Sequence, residues 1–161
     1  MPYLIDGNNL IGHTPDLRVQ DERSKHTLLK RLLDFHRATG AKVLVVFDGE
    51  SGQLVPDNLN LGGVRVTYSG RHSDADSKIK RLVEGSNNPK EFIVVSSDTA
   101  VYNFARQHRA QALKCHEFNH KLSEHLSKGA AHTAPADEKK PEVGDLDEWY
   151  KYFGINDTKK E

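Results

Sequence analysis

The sequence predicts an α/β fold: a doubly wound, parallel sheet of five strands in the order 3-2-1-4-5, with helices on both faces. Three observations predict it. Short apolar runs alternate along the chain with helix-like segments, the pattern of parallel strands joined by crossovers. Two of the runs, Val43 to Phe47 and Phe92 to Val95, contain no polar alternation, as expected of strands covered on both faces. A third run differs: Val64, Val66 and Tyr68 alternate with Arg65 and Thr67, so this strand is expected half exposed at an edge. Placing the apolar runs inside and the alternating run outside gives the order. It also puts the reversal of direction between strands one and four.

The elements follow in turn. Residues 2–5 form a short apolar strand, and Asp6-Gly7-Asn8-Asn9 reads as a turn of residues that tolerate unusual backbone angles. Residues 22–38 read as a helix: Leu28, Leu32 and Phe35 share one stripe, Leu29, Leu33 and His36 lie beside it, and Gly40 is placed as its stop. After the second strand, Asp48 to Gly52 is a loop and residues 53–61 are irregular. Ser73 opens a second helix that buries Ala75, Ile79, Leu82 and Val83 and ends near Gly85. A third helix starts at Asp98 or Thr99 and aligns Val101, Phe104, Ala105 and His108. Ala112 to Cys115 is a last short strand, and residues 117–128 are a fourth helix.

Residues 1–128 thus form one domain. Residues 129–144, small, polar and proline-containing, read as a flexible linker. Residues 145–155 read as a short amphipathic helix. There Leu146, Trp149, Tyr152 and Phe153 recur at helical spacing and offer a surface for the domain itself or for a protein partner.

Composition narrows the function. The chain of 161 residues carries 23 basic and 23 acidic side chains, so no global field draws it to nucleic acid and any such surface is a local patch. The single cysteine, Cys115, excludes an intramolecular disulfide and is expected as a small buried group in a reducing compartment. No basic region followed by an apolar run opens the chain, so no signal peptide is expected. No stretch approaches the roughly 20 apolar residues of a membrane span. The expectation is a cytoplasmic protein.

Acids recur where the apolar runs end: Asp6 after the first, Asp48 after the second, and Asp98 after Phe92 to Val95 and Ser96-Ser97. Asp74 and Asp76 stand at the start of the second helix. Each has a bland reading. Asp98 is a plausible N-cap, Ser73-x-x-Asp76 fits a capping box, and Asp6 and Asp48 suit turns with the glycines that follow them. Separate caps, however, have no reason to gather at one sheet edge, and open α/β sheets bind ligands outside the carboxyl ends of their strands. Carboxylates gathered there repel one another unless a cation holds them, and Mg2+ or Mn2+ suits an all-oxygen site. Zinc would want histidine or cysteine at short spacing. His116, His120 and His125 are the nearest set and lack a cysteine partner. No phosphate-binding glycine motif is present, so no nucleotide cofactor is expected. A carboxylate-held metal without a nucleophilic side chain points to hydrolysis of a phosphodiester. Arg71 and His72, in the loop beside the acids, and Lys78 are the candidates to hold a nucleic-acid backbone.

Tyr3 to Ile11, Val45 to Gly49, Ser73 to Ile79 and Val94 to Asp98, in this order, resemble the NYN domains, the PIN-like nuclease group that includes the bacterial YacP-like proteins. The resemblance covers residues 2–128. It implies a metal-dependent ribonuclease, endonucleolytic on single-stranded RNA. Asp6, Asp76 and Asp98 would be its catalytic metal ligands, Asn9 and Asp48 would support the site, and Ser97 would hydrogen-bond a ligand or water. Two positions depart from the family pattern: Asn8 stands where an aromatic residue is common, and Ser77 where a further acid is common, a charge that Asp74 is placed to supply. Two readings compete. A haloacid-dehalogenase-type phosphatase needs a second acid two residues after the first, where Asn8 stands. A toprim-like domain needs a glutamate where Asp6 stands. A non-catalytic RNA-binding module on the same fold is the rival from another class.

Overall fold

The structure, a computed structural model, describes residues 1–52, 54–129 and 142–143. In chain order its elements are β1 (Tyr3–Asp6), α1 (Gly7–Gly12), α2 (Glu22–Thr39), β2 (Val43–Phe47), β3 (Leu59–Asn60), β4 (Val64–Tyr68), α3 (Ala75–Glu84), β5 (Ile93–Val95), α4 (Thr99–Gln107), β6 (Gln111–Leu113), α5 (Cys115–Gly129) and β7 (Glu142–Val143). Among the described residues the strands form one sheet in the order β6-β5-β1-β2-β4-β3-β7. The five parallel strands are those the sequence predicts, in the predicted order: β1 pairs with both β2 and β5, β2 with β4, and β5 with β6.

The sheet separates two apolar layers. Strand side chains alternate between faces. Tyr3 and Ile5 of β1 join Val43, Val45 and Phe47 of β2 under α1, α2 and α5, while Leu4, Leu44 and Val46 pack under α3 and α4. Tyr3, Phe35 and Phe118 meet edge-on or tilted, with ring centroids 5.3–5.4 Å apart, and tie α2 and α5 to the first strand. Gly40, at φ 79°, ends α2 as a left-handed cap.

The structure corrects the sequence reading in several places. β4 is not an edge strand, because β3 pairs antiparallel with it and β7 with β3. Nor is it half exposed. Arg65 and Thr67, the residues that gave it an alternating look, are buried. Arg65 reaches Asn58 Oδ1, and Thr67 Oγ1 receives Lys78 Nζ at 3.2 Å, so hydrogen bonds replace the water that alternation implied. The turn expected after β1 is a helix, α1, that starts at once. Ser73 does not cap α3; Asp74 does, accepting from Ser77 N at 2.9 Å. Cys115 opens α5 rather than closing a strand, and is buried there. Glu142 and Val143, inside the stretch read as linker, pair as β7. The rest of that stretch from residue 130 and the helix expected over 145–155 lie outside the described residues.

Gly7 permits the early helix. A Cβ added to it would stand 2.5 Å from the Phe47 ring and 2.9 Å from Val45 Cγ1. Only a residue without a side chain lets α1 turn across β2 so soon after β1. Gly7→Ala is therefore expected to destabilise the fold by about 1–3 kcal/mol, the usual cost of overpacking a dense interior. Urea denaturation of the two proteins measures this, and an unchanged midpoint would contradict the close approach.

Candidate active site

Alternation along the strands decides which acids meet. Ile5 and Phe47 face α1 and α2, so Asp6 and Asp48, one residue further, face α3 and α4. Asp76 enters from the first turn of α3, and Asp98 is the N-cap of α4. All four stand at the carboxyl edge of the parallel strands, around the switch point between β1 and β5.

Asp6 is the innermost, only 6% exposed. Burial pushes its carboxyl up to about 6, the nearby charges of Asp48 and Asp76 add to the rise, and the Ser96 hydroxyl and Asn9 amide partly offset it. Ser96 Oγ donates to Asp6 Oδ2 at 2.9 Å and accepts from Asp98 N at 3.1 Å. One buried hydroxyl therefore joins the first-strand acid to the backbone of the third. Asp48 Oδ1 accepts from Ala75 N at 2.7 Å and so fixes the start of α3, and Asp48 N donates to Asn8 Oδ1 at 2.9 Å. Asn8, thus engaged with backbone, gives no support to an acid two residues after Asp6 of the kind a dehalogenase-type phosphatase requires. Asp98 Oδ1 accepts from Ala100 N and Val101 N at 2.9 and 3.2 Å, as an N-cap does, which leaves its second oxygen for another partner.

Asp76 differs from the rest. Its Oδ1 is buried and accepts no hydrogen bond. Lys80 Nζ is 3.3 Å away, within ion-pair distance but outside hydrogen-bonding geometry. A buried carboxylate oxygen without a hydrogen bond beside a second, hard-to-ionise carboxyl is an arrangement that a small hard cation satisfies. The residues thus fit Mg2+ or Mn2+, with Asp6 and Asp76 as the inner pair. Among the described residues no three histidine, cysteine, aspartate or glutamate side chains already converge closely enough to hold an ion. The physical reason is visible: Asp48 and Asp98 are turned toward helix amides. The histidines offer no rival site, since His120 pairs with Glu124 at 3.4 Å and His125 meets the Phe35 ring.

The remaining candidates divide. Asn9 is a clamp: its Oδ1 accepts from Ser97 N at 2.7 Å and lies 3.2 Å from Cys115 Sγ. Ser97 Oγ accepts from Cys115 N at 2.8 Å, because the start of α5 needs an acceptor there, and keeps its own proton to donate. Burial pushes the Cys115 thiol up, which removes it as a nucleophile. Asp74 is exposed and spent on capping Ser77, so it does not bring a fifth charge to the site. Lys78 is half-buried. α3 lays it over β4, its Nζ donates to Thr67 Oγ1 and the Tyr68 carbonyl, and burial lowers its pKa. Arg71 is exposed and pairs with Glu50 at 3.2 Å, and His72 beside it is exposed. Sequence reasoning missed Ser96. Its one signal was its place immediately after a fully apolar strand.

The Asp6 carboxyl gives a pH signature. Its proton is held to about pH 6 in the fold but leaves near 3.8 when the chain unfolds, so between these values the folded state binds more protons. Its contribution to stability is full below pH 3.8 and is lost as pH rises through 6. In chelator, Asp6→Asn, whose amide oxygen still accepts from Ser96, is expected to be more stable than wild type above pH 6, by roughly 2–3 kcal/mol at 1.36 per unit. The advantage should shrink as pH falls toward 4. Thermal unfolding across pH measures it, and a pH-independent difference would contradict a protonated, buried Asp6.

Comparison with known proteins bears on the fold and the family. The YacP-like NYN domain family matches residues 3–149. The YacP protein of Bacillus subtilis is 29% identical over 89 residues, which are 53% of this chain and 52% of that protein, so the match spans about half the length of the relative. The crystal structure of Rae1 (YacP) from the same organism superposes with a TM-score of 0.67 at 22% identity, covering 81% of this chain and 78% of the other. A tryptophan-to-leucine mutant of that protein gives 0.65 at 20% identity over 97% and 94%. These likenesses show a shared fold. With a family match across nearly the whole chain, the protein belongs to the YacP-like NYN domain family, a PIN-like nuclease family.

Proposed function

We propose that the protein is a ribonuclease dependent on Mg2+ or Mn2+, which hydrolyses phosphodiester bonds within single-stranded RNA at the Asp6–Asp76–Asp98 edge. The observation that carries this reading is the inner pair: a buried Asp6 carboxyl pushed up to about 6 beside the buried Asp76 oxygen that accepts no hydrogen bond. Membership in a nuclease family supports it.

The roles follow from the contacts. Asp6 and Asp76 would hold the ion, Asp98 would add its free oxygen, Ser96 aims Asp6, and Asp48 fixes the start of α3 that carries Asp76. When bound, the metal lowers the pKa of a coordinated water and neutralises charge on the leaving oxygen. Water is the nucleophile in this reading, since the one thiol is buried and its pKa raised. Among the described residues no helix is long and apolar enough to cross a membrane.

Two results are expected. Asp98→Asn keeps the α4 cap, because asparagine caps as well as aspartate. It should therefore fold normally, yet cleave an unstructured RNA more slowly by at least the roughly 10–100-fold that loss of a supporting partner costs a metal site. Undiminished cleavage in this variant, or in excess chelator, would contradict the reading. Separately, Mn2+ at pH 8 should raise the melting temperature of wild type, since a ligand of the folded state stabilises it. It should raise that of Asp76→Asn little. An equal shift in both would place the ion elsewhere.

A further inference from the structure

An acidic edge repels a polyanion, and the chain carries no net charge to compensate. RNA that reaches Asp6 must therefore be held by local cations. Most cations around the edge are already engaged: Lys78 donates into β4, Lys80 lies beside Asp76, and Arg71 pairs with Glu50. On the β5–β6 side two are not. Lys114 Nζ lies 4.5 Å from the centroid of the Tyr102 ring, and the Arg106 guanidinium 5.8 Å from the same centroid. Among the described residues neither cation has a carboxylate within ion-pair distance. Arg106 is exposed, and Tyr102 and Lys114 are half-buried.

This cluster is tied to the acids by backbone. Tyr102 N donates to the Asp98 carbonyl at 2.9 Å, one turn along α4. Asp98, Tyr102 and Arg106 recur at i, i+4 spacing and so form one ridge, advancing about 6 Å per step. Lys114 immediately precedes Cys115, whose amide is bonded to Ser97 Oγ. The aromatic ring thus gathers one cation from α4 and one from the junction of β6 and α5, next to Asp98, the acid that follows β5.

We propose that Tyr102, Arg106 and Lys114 form the platform that grips single-stranded RNA and leads it to the acidic edge. The proposal rests on the ribonuclease reading and names its substrate contacts. Arg106 and Lys114 each contact one backbone phosphate, and the Tyr102 ring both spaces the cations and offers a face to a base. An acidic peptide could use the same cations, but the ribonuclease reading favours a phosphodiester backbone, whose bases the Tyr102 ring can stack.

Fluorescence anisotropy with a labelled, unstructured RNA oligonucleotide, in chelator and across salt concentrations, tests the platform on the full chain. Wild type should show a falling log affinity with log salt. Arg106→Gln/Lys114→Gln should flatten that slope by about 1.4, at roughly 0.7 per phosphate on a single strand, and weaken binding roughly tenfold at low salt. Tyr102→Phe should bind as wild type and Tyr102→Ala more weakly. Lys30→Gln/Arg37→Gln, an equal charge loss on α2 across the sheet, should keep the wild-type slope. With Mg2+ the platform variant should raise KM and leave kcat unchanged. A wild-type slope in the platform variant, the same loss of slope in the α2 variant, or no RNA binding by wild type would overturn the platform. If wild type binds RNA but does not cut it, the slopes still decide the platform while the ribonuclease reading fails. If wild type cuts RNA and the platform variant keeps the slope, the platform alone fails.

Discussion

The candidate site is built around a carboxylate placed where it is least welcome. Asp6 lies at the end of a central strand, flanked on both sides by parallel neighbours and almost without solvent. Burying an ionised carboxyl is costly, and one hydroxyl with one nearby amide cannot fully offset it, so the group resists ionisation. Replacing it with an apolar residue would stabilise the fold. An acid nevertheless stands there, with Ser96 buried beside it as a donor and Gly7 clearing the way for α1.

Around this point the other acids are held at the start of helices. Asp48 anchors α3 and Asp98 caps α4, so backbone amides position each carboxylate in the absence of a cation. Asp76 alone presents a buried oxygen with no hydrogen bond. The site is thus partly neutralised by the fold and partly left open. In the proposed function an ion would complete it, held by Asp6 and Asp76.

Much of this was legible in the sequence. The two unbroken apolar runs named the central strands, and the terminal acids named the edge at which a ligand would sit. The illegible parts share one cause: a polar side chain can be satisfied from a distant segment. Arg65 and Thr67 looked solvent-facing because nothing local to them announced Asn58 or Lys78 as partners. For the same reason Lys78 read as a cation for the nucleic-acid backbone, and the bond between Ser97 and Cys115 N went unseen. α1 was hidden by its composition: Gly7, Asn8 and Asn9 have turn chemistry, yet Gly7 is required by the Phe47 ring and Asn9 clamps the loop to α4. The cation pair on Tyr102 was invisible because Lys114 lies twelve residues away, between β6 and α5.

The central claim is that a divalent cation is held between Asp6 and Asp76. Anomalous difference density from crystals soaked in Mn2+ near pH 8, above the point at which Asp6 ionises, tests it most directly. The account predicts one strong peak within coordination distance of both carboxylates, with Asp98 as the next nearest acid. Saturating Mn2+ that leaves this position empty, or binds only at the exposed Asp74, would contradict it.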